Sequence, residues 1–169
     1  MDVLEAIATR RSIRRYERNK PVEGEKVHKC LNAARWAPSA NNSQPWEFIV
    51  VRKEETMEKL ASIHTWGEFM AESPVVLCVL VDPRKSPGFY HGDAAVATQN
   101  IILSAWAQGL GTCWIGVLGS EFEKPVKDLL KIPRELSVLC LISMGYPAES
   151  PSSKRKSLAT LIHHEKYGS

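Results

Sequence analysis

Seven apolar residues in a row, Val75-Val76-Leu77-Cys78-Val79-Leu80-Val81, separate Pro74 from Asp82 with no charge among them. A strand with one wet face alternates apolar and polar side chains. This run does not, so both of its faces need cover. It is far too short to cross a bilayer. Residues 92–108 add a second constraint. Ala94, Ala95, Val96, Ala97, Ile101, Ile102, Leu103, Ala105 and Trp106 make that stretch apolar almost all round, which predicts a helix running through the core and stopped by Gly109 and Gly111. A strand covered twice and a buried helix require a sheet with helices on its faces. A chain of 169 residues, 44% hydrophobic, can bury one such core, so a single domain over 1–169 is expected.

The remaining pattern is consistent with that outline. Val3, Leu4, Ile7 and Ala8 recur at helical spacing over 2–11, and Val27, Cys30, Leu31 and Ala34 over 23–36, where Pro38 ends the helix. Strands are expected at 46–51, 75–81, 112–117 and 136–144, with a polar helix carrying Met57 and Leu60 after the first. Ser120 and Glu123 read as a capping box. The expected class is α+β, three-layered in an α/β/α manner, with a central mixed sheet flanked by helices. The tail from Pro151 is basic, then weakly amphipathic through Leu158, Leu161 and Ile162. It is too short to be globular alone and needs a surface that a partner subunit could supply.

Several classes are disfavoured. A net charge of +3 is too weak to imply nucleic acid without a patch. Cys30, Cys78, Cys113 and Cys140 lie far apart with no CxxC, so they read as buried reduced thiols of a cytoplasmic protein. The N-terminus lacks the basic and apolar regions of a signal peptide. The five histidines show no metal-ligand spacing with carboxylates, and no metal is expected.

Two motifs point to chemistry. Arg10, Arg11, Ser12 and Arg14 crowd three guanidiniums and a hydroxyl into five positions. A solvated helix end explains some of these charges, and with Arg15, Arg18 and Lys20 a nucleic-acid patch is the competing reading. Guanidinium forks nevertheless match phosphate oxygens bidentately. The loop Pro38-Ser39-Ala40-Asn41-Asn42-Ser43-Gln44 could be a plain turn, yet its amides also suit the polar edge of a heterocycle. The two together suggest a phosphorylated heterocycle such as flavin mononucleotide. Gly109 to Gly116 is no dinucleotide fingerprint, because it ends a helix and enters a strand. Gly116 would instead let backbone amides approach a planar ring. Lys154, Arg155 and Lys156 read alone as exposed charge.

The strings ATRRSIRRY (8–16), APSANNSQPWEFIVV (37–51), PVVLCVLVD (74–82), the helix and strand of 92–116, LISMGYPAE (141–149) and SKRKSLATLIHHE (153–165) occur in the order seen in the FMN-dependent nitroreductase family. The chain resembles a short member along nearly its whole length. The resemblance implies an intertwined homodimer with FMN at the interface and the tail, about 151–169, packed on the partner. Arg10, Arg11 and Ser12 then hold the phosphate and ribityl end, and Arg14 sits near flavin N1 and C2=O as the electrostatic catalytic group. Pro38, Ser39, Ala40, Asn42 and Gln44 line the ring edge, often from the other subunit. Trp114, Ile115 and Gly116 run beside the ring's central nitrogens. Arg155 with Lys154 or Lys156 clamps the phosphate. Many relatives carry an amide before the second strand, but residues 64–69 here have none, leaving Trp66 or Phe69 to cover the substrate face.

The function implied is hydride transfer from NADH or NADPH to FMN, then electron transfer to a nitroaromatic, quinone or similar small molecule. No membrane or nucleic-acid partner is expected. The alternatives are a noncatalytic flavin-binding sensor and, further off, a nucleic-acid-binding domain built on the 10–20 cluster.

Overall fold

The computed structural model describes residues 1–168; Ser169, the end of the expected tail, lies outside the described residues. Four strands, β1 (Trp46–Val51), β2 (Val75–Val81), β3 (Gly111–Gly116) and β4 (Ser137–Gly145), form one sheet in the order β1-β2-β4-β3. All three pairings are antiparallel. The sheet is therefore antiparallel and not the mixed one expected, because no strand joins a neighbour in parallel; among the described residues the one parallel contact is an isolated bridge of Ser12 with Thr112.

Five helices cover the sheet: α1 (Val3–Thr9), α2 (Gly24–Ala34), α3 (Glu54–Ile63), α4 (Tyr90–Ala107) and α5 (Glu123–Leu130). The apolar run of β2 is explained at once. Val75, Leu77, Val79 and Val81 pack with α2 and α4, whereas Val76, Cys78 and Leu80 pack with α3 and α5 on the other face. Successive side chains point to opposite faces of a strand, so two cores demand apolar residues at every position. The layers are helix, sheet, helix, as expected.

Three details depart from the sequence pattern. Helix α1 buries Ala6 and leaves Val3, Leu4 and Ile7 exposed. Helix α4 buries Ala94, Ala97, Thr98, Ile101, Ile102 and Ala105 but leaves Val96 exposed, because the chain covers only one side of it. The capping box is replaced by a different use of Glu123. Its carboxylate accepts from the Gly119 N–H at 2.9 Å and the Val138 N–H at 3.0 Å, tying the loop after β3 to the start of β4, while Ser120 Oγ accepts from the Phe122 N–H.

One irregularity interrupts the ladder. Between Val79 and Leu80 the β2–β4 register shifts, since Val79 opposes Cys140 and Leu80 opposes Val138. The extra residue, Leu139, accepts from the N–H groups of both Val117 and Leu118. Bulges of this kind bend a sheet edge locally, and this one lies beside Gly116, which pairs with Cys140.

Candidate functional site

Strand β3 lies at the sheet edge, so the peptide groups of Thr112, Trp114 and Gly116 face outward by the alternation of an antiparallel ladder. The chain covers this edge at its two ends. The Ile13 N–H donates to the Thr112 carbonyl at 2.9 Å. At the other end His64 Nε2 meets the Gly116 carbonyl at 3.0 Å. Between them lies an open groove of about 440 Å³ lined by Arg14, His64, Trp66, Phe69, Cys113, Trp114, Ile115 and Gly116. A Cβ built on Gly116 would enter open space, so the missing side chain leaves room in the groove.

The arginine segment reaches this groove because glycine lets it. Ile13 is fully buried against Gly111, and Tyr16 against Gly145. Tyr16 is anchored further by its hydroxyl, which donates to the Ile13 carbonyl and pairs with Ser143 Oγ; burial pushes this phenol's pKa up. One Glu149 carboxylate oxygen accepts from the N–H groups of Arg14 at 2.5 Å and Arg15 at 3.1 Å. With Ile13 buried inward, alternation turns its neighbours Ser12 and Arg14 to the other side, and Arg14 lines the groove. The Arg14 guanidinium lies 5.8 Å from the Phe69 ring centroid, within cation–π range.

Residues 38–44 form a second groove of about 500 Å³, lined by Arg35, Trp36, Ala37, Pro38, Asn42 and Gln44. Asn41, Asn42 and Gln44 have φ of 53°, 54° and 45°, a left-handed conformation that non-glycine residues rarely adopt. The turn is held by local bonds. Ser39 Oγ accepts from the Gln44 N–H, and Gln44 Nε2 donates to the Asn42 carbonyl and Oδ1. Asp93, in the first turn of α4, accepts from the Ala40 N–H and from Ser86 Oγ. Strain of this sort persists where surrounding structure overdetermines it and gathers at functional sites.

The two grooves do not meet within one chain. The loop 38–44 feeds β1, at the sheet edge opposite β3, three strand spacings or roughly 14 Å away. Two buried atoms near these segments lack a partner. Among the described residues, the buried side-chain polar atoms lacking a hydrogen-bond partner are Arg11 Nε and Ser43 Oγ. Arg11 Nη1 is already committed to the carbonyls of Ala8 and Arg10. Such orphans are uncommon in native proteins and call for a missing partner. Arg11 lies in the segment that leads to Arg14, and Ser43 in the loop 38–44, so each stands beside a groove rather than in its wall; with the Arg14 cation in one groove and the Asn42 and Gln44 amides in the other, the residues present fit a phosphate-bearing heterocycle.

The expected phosphate clamp is not assembled in the single chain. Arg155 donates to Ser153 Oγ and the Lys154 carbonyl within its own tail, and residues 150–168 are exposed throughout. Sequence reasoning missed two groove residues. His64 looked like any isolated histidine. Cys113 looked like a core thiol; burial pushes its pKa up, and the nearby Arg14 charge partly offsets this. Only the neighbourhood of Trp66 in sequence hinted at the first.

The fold and the groove define an α+β protein with a cationic, aromatic-walled cleft at one sheet edge. The Nitroreductase family profile matches residues 7–66 and 63–146. The chain is 42% identical over 170 residues to a Methanothermobacter thermautotrophicus protein provisionally named an NADH dehydrogenase/NAD(P)H nitroreductase, covering 99% of this chain and 88% of that one. An FMN-dependent nitroreductase from Clostridium difficile R20291 superposes with a TM-score of 0.89 at 33% identity, covering 97% and 99% of the two chains. A provisional nitroreductase from Desulfovibrio desulfuricans, solved in complex with FMN, does so at 0.85 and 35%, covering 99% and 98%. The chain belongs to the nitroreductase family of oxidoreductases.

Proposed function

We propose that this chain is an FMN-dependent NAD(P)H oxidoreductase that works in the cytoplasm as a homodimer and reduces a small acceptor such as a nitroaromatic or quinone. The observation that carries the reading is the pair of grooves at opposite sheet edges, one with the Arg14 cation in its wall and the other with the amides of Asn42 and Gln44. A second copy, bringing its loop 38–44 to the first copy's β3 groove, joins both halves into one site. It also covers apolar surface that a lone chain leaves wet: Leu4 and Ile7 of α1, Val96 of α4, and Leu158, Leu161 and Ile162 of the tail. The chain is then one domain, with its tail from about residue 151 strapped over the partner.

When bound, FMN supplies the redox chemistry between a nicotinamide donor and the acceptor. Arg10, Arg11 and Ser12 bind its phosphate and ribityl end, with Lys154 and Arg155 completing the clamp. The Arg14 cation offsets negative charge at the pyrimidine edge. Pro38, Ser39, Ala40, Asn42 and Gln44 of the second copy line the ring edge. Trp114 and Gly116 offer outward backbone groups, Ile115 lines the groove between them, and Gly116 leaves open space beside the ring. None of these side chains is asked to carry a proton.

The absorption spectrum of purified protein, followed by anaerobic titration with NADH and NADPH, tests the reading. A flavin spectrum bleached by either nucleotide is expected. A protein that cannot retain FMN supplied in excess overturns it. The Trp66 indole, 81% exposed at the groove, favours one rival, a flavin-binding protein closed to substrate. Steady-state turnover with a quinone separates the two.

A further inference from the structure

We propose that His64 is a positioning residue that fixes the aromatic acceptor wall of the groove to the flavin-bearing edge of β3; this rests on the function proposed above. His64 follows the last turn of α3 and is 6% exposed. Both of its ring nitrogens are in use, and they are used differently. The Trp66 N–H donates to Nδ1 at 3.2 Å. A nitrogen that accepts carries no proton, so the hydrogen of the neutral ring sits on Nε2 and is donated to the Gly116 carbonyl at 3.0 Å. The Phe122 ring, 4.2 Å away between centroids, packs against the imidazole.

The bonds tie together two elements that share no strand pairing. Gly116 belongs to the sheet. Trp66 belongs to a tight turn in which the Gly67 N–H donates to the His64 carbonyl at 2.8 Å. A side chain on Gly67 would lie 2.6 Å from Met70 Cε and 3.1 Å from His64 Cβ, so the turn has one compact shape. The peptide of Trp66 is therefore held by His64, and its indole projects into the groove beside Phe69, Trp114 and Arg14. Aromatic walls with one cation suit a planar, electron-poor acceptor that gains negative charge on reduction. The imidazole sets how far that wall stands from Gly116.

Two substitutions separate the two bonds. In His64→Gln the amide nitrogen reaches the Nε2 position and keeps the donation to Gly116, but the acceptor for Trp66 is lost. In His64→Asn the amide oxygen stands where Nδ1 was and keeps Trp66, but the donor to Gly116 is lost. With each FMN-loaded variant, H64Q is expected to raise KM for the quinone menadione about 10-fold, with kcat and the FMN dissociation constant of the reconstituted apoprotein within about 2-fold. H64N cuts the same tether at Gly116, so it is expected to raise the menadione KM by a similar factor and also to weaken FMN about 10-fold. An FMN affinity weakened equally in both variants, or an unchanged menadione KM in either, overturns the proposal. A further reading needs no variant: ¹⁵N imidazole spectra of the native protein should show His64 as the neutral Nε2–H form, and an Nδ1–H form or an imidazolium at neutral pH also overturns it. If the native protein fails to bind FMN, the flavin reading falls while the tautomer result still stands or falls by itself.

Discussion

Replacing Gly111 by alanine adds one methyl group where the arginine segment crosses the sheet. A Cβ there would lie 2.6 Å from Ile13 Cγ1, 2.7 Å from Cβ and 2.9 Å from Cγ2, whereas ordinary contact begins near 3.4 Å. Ile13 cannot swing aside, because it is β-branched, fully buried and hydrogen-bonded through its N–H to Thr112. The backbone of 11–14 must yield by roughly 0.8 Å, a displacement on the scale at which positioning losses become large. Overpacking of this kind costs about 1–3 kcal/mol, or roughly 2–12 °C in Tm for a domain of this size. Losing one charge-assisted bond to a phosphate adds a fall of about 10-fold or more in FMN affinity. Gly116→Ala is the matched control, since its Cβ meets nothing within 4 Å. It should leave the apoprotein Tm unchanged while weakening FMN by filling the groove. Thermal melts of both apoproteins and fluorescence titration with FMN decide the matter. Native Tm and native affinity in Gly111→Ala, or equal destabilisation by the two alanines, would falsify the account of how the arginines are placed.

Other outcomes rest on the same geometry. Arg14→Ala should lower the rate of anaerobic reduction more than FMN content, and equal loss of both contradicts its assigned role at the ring. The Asp82 carboxyl, hydrogen-bonded by the Arg84 guanidinium, is held down at about 2 against an ordinary 3.8. A folded-state pKa below the unfolded value gives stability that is complete above the ordinary carboxylate range and lost as pH falls through about 2. Arg84→Ala should therefore lower Tm at pH 7, with the gap closing on acidification; a gap independent of pH refutes the pair. Burial pushes Cys78 up to about 12 and raises Cys30 and Cys140 as well, so iodoacetamide at pH 8 should label none of these three before unfolding, as read by mass spectrometry. Leu158→Asp with Leu161→Asp should shift the protein toward monomer in sedimentation, and an unchanged dimer would show that the tail does not strap the partner.

What was legible in the chain and what was not divides along a physical line. The limits of β1 and β2, the paired cores implied by an uninterrupted apolar run, and the helices at 23–36 and 92–108 could all be read from local pattern. Periodicity is written into successive residues, and Pro38, Gly109 and Gly111 punctuate it. The strings at 8–16 and 37–51 likewise pointed to Arg14, which lines one groove, and to Pro38, Asn42 and Gln44, which line the other. Their separation could not be read, because which edge of a sheet a segment joins depends on strand order and not on the segment. Nor could the exposed faces of α1 and α4, since an apolar stripe does not say which body will cover it. His64 shows the limit most plainly: its role comes from one proton on one nitrogen, and two neighbours from separate elements, Trp66 and Gly116, dictate where that proton sits.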